Sequence, residues 1–271
     1  MDRKNFKNNW SYVFFVKHPE LYLPILESKK AKSKKEAHQL DKLLRRHKVL
    51  PPAKILDYSC GIGHHAINLF KLNYKVVGYD PSPHYIGLAK RSAASLFGRK
   101  NDIRFYKGVP ANVSKILSNN NDTGFDAIIF MGSNLGFSSE QADIQMLKTL
   151  RSVAKEDCVL VIESENRDYT LSNFRPYINY DFKNLLVSEE WKFDFETSTS
   201  KGRCRYYQKH SNGNLSLLLD LDTTIRLYSL HELRRLLDEA GWKYLECCGN
   251  IMTMDKHDFY YEDIITVSIK D

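Results

Sequence analysis

The stretch AKILDYSCGIGHHAINLF (53–70) places acidic and small side chains at a spacing suited to a nucleotide-type ligand. An apolar run ends in Asp57, and Ser59, Cys60, Gly61 and Gly63 follow immediately before a helix-forming segment. Residues with little or no side chain let backbone N–H groups approach a ligand closely, and a helix N-terminus aims such groups at it. A second run, KVVGYD, ends in Asp80. If both runs are parallel strands, Asp80 emerges on the same sheet edge as the glycine turn, where a carboxylate can accept two ribose hydroxyls.

Two ligands compete for this turn. Gly61-x-Gly63-x-x-Ala66 with Asp80 meets the dinucleotide fingerprint, which is weak alone. Asp57 argues the other way. Like charges about 4 Å apart repel by roughly 4 kcal/mol at an effective dielectric near 20, so a carboxylate there suits an ammonium better than a pyrophosphate. This favours a ligand carrying an ammonium group over NAD, and an NAD-dependent oxidoreductase is the rival reading.

The elements that must hold these residues alternate. Strands are expected near 53–57, 75–79, 102–106, 125–131 and 158–163, and helices near 64–72, 83–97, 110–118 and 139–154. Such alternation predicts an α/β fold with a parallel sheet covered by helices on both faces, all strand C-termini on one edge. From about 170 to 227 the pattern turns to period two, as in WKFDFETSTS, RCRYYQKH and LSLLLDLDTTIRLY, with turns expected at Lys201-Gly202 and Asn212-Gly213. A helix over Leu230–Ala240, closed by Gly241, and strands near 242–248 and 263–269 complete the chain. The division expected is a helical cap over 1–50, a core over 51–168 and 226–271, and an antiparallel β insert over 169–225 covering the pocket.

Beginning at Asp57, Asp-x-Ser-x-Gly-x-Gly resembles the first motif of class I S-adenosylmethionine-dependent methyltransferases, and KVVGYDPSPHYIGLAK, FDAIIFMGSNLGF and LVIESENRD resemble later ones. TTIRLYSLHELRRLLDEAGWKYLECCG is similar to the closing segment of that family. The resemblance implies a Rossmann-like seven-stranded sheet and S-adenosylmethionine as cofactor. It places Asp80, Pro81 and Ser82 at the ribose, Val109 at the adenine, and Met131 and Asn134 beside the transferable methyl. Ser59 departs from the usual glycine and requires a backbone open to a non-glycine residue. Val109 stands where relatives often carry an acid, so adenine is expected to meet backbone and apolar groups. Gly132-Ser133-Asn134 replaces the Asn-Pro-Pro-Tyr type motif, which disfavours the adenine- and glutamine-modifying branches.

Methyl transfer is a direct displacement governed by alignment, so no triad is needed. A base is still useful for a protonated nucleophile. Glu163, Asn166 and Arg167 lie past the fifth strand, Arg226 and Tyr228 return from the insert to the same edge, and Tyr12 comes from the cap. Glu163, Tyr228 and Tyr12 are the candidates for catalysis; Asn134, Asn166, Arg167 and Arg226 are those for substrate binding. His65, His84, His210 and His231 are further candidate bases, though His65 starts a helix and His231 sits in the capping segment Ser229–Glu232.

The net charge of +7 is concentrated in residues 1–50, which hold thirteen Lys/Arg against five Asp/Glu. Lys29, Lys30, Lys32, Lys34 and Lys35 flank the apolar stripe Ala37, Leu40, Leu44 and read as a solvated helix face. The other reading is a patch for RNA or another anion. No run of eighteen apolar residues predicts a membrane span, and the polar start MDRKNFKNNW does not resemble a secretion signal. Five cysteines without Cys-x-x-Cys spacing suggest reduced thiols, no metal and a cytoplasmic setting. A small-molecule partner and a monomer or homodimer are expected.

Overall fold

The computed structural model describes residues 9–132 and 135–271; Asn134 and the first eight residues of the expected cap lie outside them. After a helical turn at Trp10–Tyr12 and a wider turn over Val13–Lys17, the cap consists of α1 (Pro19–Ser28) and α2 (Lys30–Arg46). The core then alternates: β1 (Lys54–Tyr58), α3 (His64–Lys71), β2 (Lys75–Asp80), α4 (Pro83–Phe97), β3 (Arg104–Lys107), α5 (Val113–Asn119), β4 (Phe125–Phe130), α6 (Glu140–Val153), β5 (Ala154–Glu165) and α7 (Arg167–Ser172). Four strands follow, β6 (Tyr177–Asp181), β7 (Leu185–Asp194), β8 (Thr199–Lys209) and β9 (Leu215–Arg226). The chain closes with α8 (Leu230–Glu239), β10 (Trp242–Cys248) and β11 (Asp263–Lys270).

The main sheet has seven strands in the order β10-β11-β5-β4-β1-β2-β3. Strands β1 to β5 pair in parallel, and β11 and β10 join antiparallel. Strand order reverses between β1 and β4, the point where α/β sheets open a crevice at their carboxyl ends. Period-two side chains build a core on each face. Ile55, Val76, Ile129 and Val161 pack with α2, α3 and α4, whereas Leu56, Val77, Ile128 and Leu160 pack with α5, α6 and α8. No described helix is long and apolar enough to cross a membrane, and all five cysteines are free.

The insert forms its own four-stranded sheet, β6-β7-β8-β9. Two details differ from expectation. Lys201-Gly202 is not a turn; it lies inside β8, where the Trp191 ring covers Gly202 so closely that a methyl group would collide with it. The chain reverses instead over 195–198, where Ser198 takes a left-handed φ of 51°. The second difference is position. Val187, Cys204 and Tyr206 pack on Phe14 and Leu21, so the insert braces the cap from outside. Asn212-Gly213 does turn the chain, with Gly213 at φ 84°.

Candidate functional site

The turn after β1 is a small concavity. Ser59, Gly61 and Gly63 have φ of 62°, 53° and 80°. The Cys60 N–H bonds the Tyr79 carbonyl and the Gly63 N–H the Cys60 carbonyl, so the turn is held tight against the ends of both strands. Ser59 adopts the conformation that its glycine-type position demands. The glycines have different tasks. At Gly61 a Cβ would make only ordinary contact with Leu26 of the cap, at 3.7 Å, while Gly63 packs against Phe105 and Ala89, where a Cβ would stand 2.9 Å from the ring. Gly63 thus sits at the N-cap of α3, off the cavity wall, and fixes helix against strand.

Both strand-end acids are buried and oriented by backbone donors. Asp57 Oδ2 accepts the Ala66 N–H at 2.9 Å, tying β1 to the first turn of α3. Asp80 Oδ2 accepts the Gly61 N–H at 2.9 Å and Oδ1 accepts the Ser82 N–H at 2.8 Å. Each oxygen keeps a lone pair for a further donor. Burial raises both carboxyls to about 6, with nearby N–H donors pulling back.

A cavity of about 470 Å³ opens over these groups, bounded below by the strand ends and above by the cap. Its wall includes Asp57, Ser59, Cys60, Gly61, Asp80, Pro81, Met131 and Glu163. Ser82 is fully buried and caps α4 through its hydroxyl. Val109 gives its carbonyl to the Tyr79 hydroxyl at 2.9 Å, and its neighbours Gly108, Pro110 and Ala111 form the wall there instead.

The cap contributes a large share of the wall. Asn9, Ser11, Phe15, Tyr22, Leu26, Lys29, Lys32 and Glu36 reach the cavity, whereas no residue of 169–225 does so. The roof is therefore the cap, not the insert. Glu36 is buried on α2, accepts Lys32 Nζ at 3.1 Å and pairs with His65 Nε2 at 2.9 Å. Burial opposes charge on His65, but Glu36 and the field of Asp57 carry its pKa above the ordinary value. His64 next to it is driven down to about 4 by burial. The only hint of Glu36 in the sequence is its i,i+4 spacing from Lys32, which surface helices share.

Glu163 lines the cavity at the end of β5, and its Oε2 accepts the Gly132 N–H at 2.7 Å. The remaining candidates gather elsewhere. Asn166 is an N-cap, accepting the Asp168 N–H and donating to the Tyr261 carbonyl. Arg167 and Arg226 both pair with Glu232, which also closes the capping box with Ser229. Tyr228 is buried and donates its hydroxyl to Asp143 Oδ2 at 2.8 Å. Burial and that carboxylate push its pKa up, and it is not part of the cavity wall. Tyr12 lies outside the wall, with Lys17 Nζ 6.0 Å from its ring. Asp143, absent from the sequence reading, and Phe137, the last residue of FDAIIFMGSNLGF, do line the cavity.

Comparison with known proteins agrees with this geometry. A family model described as "Methyltransferase domain" matches residues 32–247. A glycine/sarcosine N-methyltransferase of Aphanothece halophytica is 24% identical, the match covering 96% of this chain and 90% of that protein. A crystal structure of an S-adenosylmethionine-dependent methyltransferase from Clostridium acetobutylicum ATCC 824 superposes with a TM-score of 0.74 at 17% identity, covering 94% of this chain and 98% of that one. The sugar N-methyltransferase KedS8 of Streptoalloteichus sp ATCC 53650 does so with a TM-score of 0.65 at 13% identity, covering 92% of each chain.

Proposed function

Because this chain belongs to the methyltransferase-domain family, we propose that it uses S-adenosylmethionine to methylate the nitrogen of a small amine. When bound, the cofactor supplies an electrophilic methyl on a sulfonium. The residues present fit it. Asp80, braced by Gly61 and Ser82, offers free lone pairs to ribose hydroxyls. The turn 59–63 brings backbone close, and Lys29 and Lys32 on the cap side supply counter-charge for a carboxylate.

The observation that carries the amine reading is the charge of the wall. Asp57, Asp80 and Glu163 line it at the strand ends, while Glu36 is paired with Lys32 and His65. Such a cleft concentrates cations and disfavours anionic acceptors. Glu163 stands beside Met131 and Gly132, and in this reading it accepts a hydrogen bond from the amine and takes its proton. Phe15, Tyr22 and Phe137 close the roof and exclude water. The N-methyltransferases among the similar proteins, acting by name on glycine, sarcosine and sugars, support the same nucleophile.

Release of S-adenosylhomocysteine in the presence of glycine, sarcosine or an amino sugar, each set against its hydroxyl counterpart, tests this. Turnover is expected with an amine only. Turnover with the hydroxyl compounds alone, or with none of the panel, counts against it. Glu163→Gln is expected to lower kcat by about 10²-fold.

A further inference from the structure

Of the described residues that follow β4, Met131 and Gly132 on the near side and Phe137 and Ser138 on the far side line the cavity wall. On the near side, Gly132 donates its N–H to Glu163. On the far side, Gly136 donates its N–H to Asp143 Oδ2 at 2.9 Å and accepts the Arg226 N–H at 2.8 Å. Gly136 has φ 81°, and a methyl group there would collide with the Arg226 carbonyl. The backbone at Gly136 therefore touches the exit of the insert directly.

Asp143 joins the two. One oxygen, Oδ2, accepts both the Gly136 N–H and the Tyr228 O–H. Tyr228 is held in turn by the Arg226 guanidinium, 5.1 Å from its ring centre, and Arg226 by Glu232. Asp143 and Tyr228 are 6% and 1% exposed, so water competes little for these bonds.

We propose that Asp143 and Tyr228 are positioning residues, a latch that fixes residues 135–138, and with them part of the wall of the cofactor pocket, to the end of the β insert. The latch explains why a conspicuous tyrosine at the functional edge carries no chemistry. It also gives the insert a task although the insert does not line the cavity. The inference rests on the cofactor site and holds whichever acceptor is used.

Three variants separate the latch from general packing. Tyr228→Phe removes only the hydroxyl; Asp143→Ala removes the acceptor; Asp143→Asn keeps an oxygen able to accept from both donors. The readouts are S-adenosylhomocysteine affinity by calorimetry and amide hydrogen exchange of the peptide spanning 131–141. Tyr228→Phe and Asp143→Ala are expected to weaken binding about 5- to 10-fold and to speed exchange in this peptide while leaving β1, β2 and β5 protected. Asp143→Asn should stay within about twofold of the wild type on both. The latch is overturned if Tyr228→Phe matches the wild type, if Asp143→Asn is as impaired as Asp143→Ala, or if protection in Tyr228→Phe falls throughout the chain. Lack of binding by the wild type itself would strike the cofactor reading instead, and exchange alone would then decide the latch.

Discussion

At the scale of single residues, Asp57 and Asp80 carry most of the meaning of this chain. Both are held at about 6 by burial, so between pH 7 and 5 they pass from charged to neutral. A protonated Asp80 accepts hydroxyl hydrogens less strongly and no longer balances a cation. S-adenosylhomocysteine affinity should therefore fall as pH drops from 7 to 5, by up to about tenfold per unit for each group involved; calorimetry at three pH values reads it, and flat binding contradicts it. The same shifts act on stability. Folded carboxyls raised above their unfolded values bind protons that the unfolded chain has released, so these two groups reduce stability as pH rises from about 4 to about 6. His65 has the opposite chemistry. Its raised pKa contributes stability that is complete below the unfolded value near 6.5 and is lost as pH rises through the higher folded value.

At the scale of elements, the cap is fastened to the core by a buried pair, Glu36 on α2 with His65 on α3. Glu36→Ala leaves a buried imidazole without its partner and should cost about 2 kcal/mol, lowering Tm by about 4–8 °C in a chain of this size. It should also flatten the pH dependence above 6.5, which thermal melts at pH 6 and 8 compare. Unchanged melting at pH 6 would show the pair to be idle. The elements themselves were largely legible. Short apolar runs alternating with amphipathic segments placed β1 to β5, and Ser229 with Glu232 marked the capping box of α8. What escaped was set by long-range contact. Gly202 looks like a turn residue, but Trp191 needs it flat inside a strand. Glu36 reads as surface charge because only the fold reveals that α2 lies over α3. Asn166, Arg167, Arg226 and Tyr228 do reach the expected edge, yet their side chains are spent on caps, ion pairs and the Asp143 latch.

At the scale of the whole molecule, two sheets and a cap divide the labour. The seven-stranded sheet presents the acids, the cap closes over them, and the four-stranded insert supports the cap through Phe14 and Leu21. The basic excess of the first fifty residues also divides. Lys29 and Lys32 border the cavity, whereas Lys30, Lys34 and Lys35 are exposed and are not part of its wall. Reversing Lys30, Lys34 and Lys35 to Glu is expected to leave cofactor affinity and turnover within about twofold, measured at two salt concentrations. A large, salt-dependent loss would mean that this patch carries the acceptor.

The claim on which the account turns is that the Asp80 carboxylate grips the ribose of an adenosyl amino acid over the 59–63 turn. Titration of S-adenosylhomocysteine into wild type and Asp80→Ala by calorimetry tests it most directly. The account predicts binding by the wild type and a loss of about 3 kcal/mol, more than a hundredfold in Kd, in the variant. Equal affinities for the two proteins, or no heat from the wild type, would contradict it.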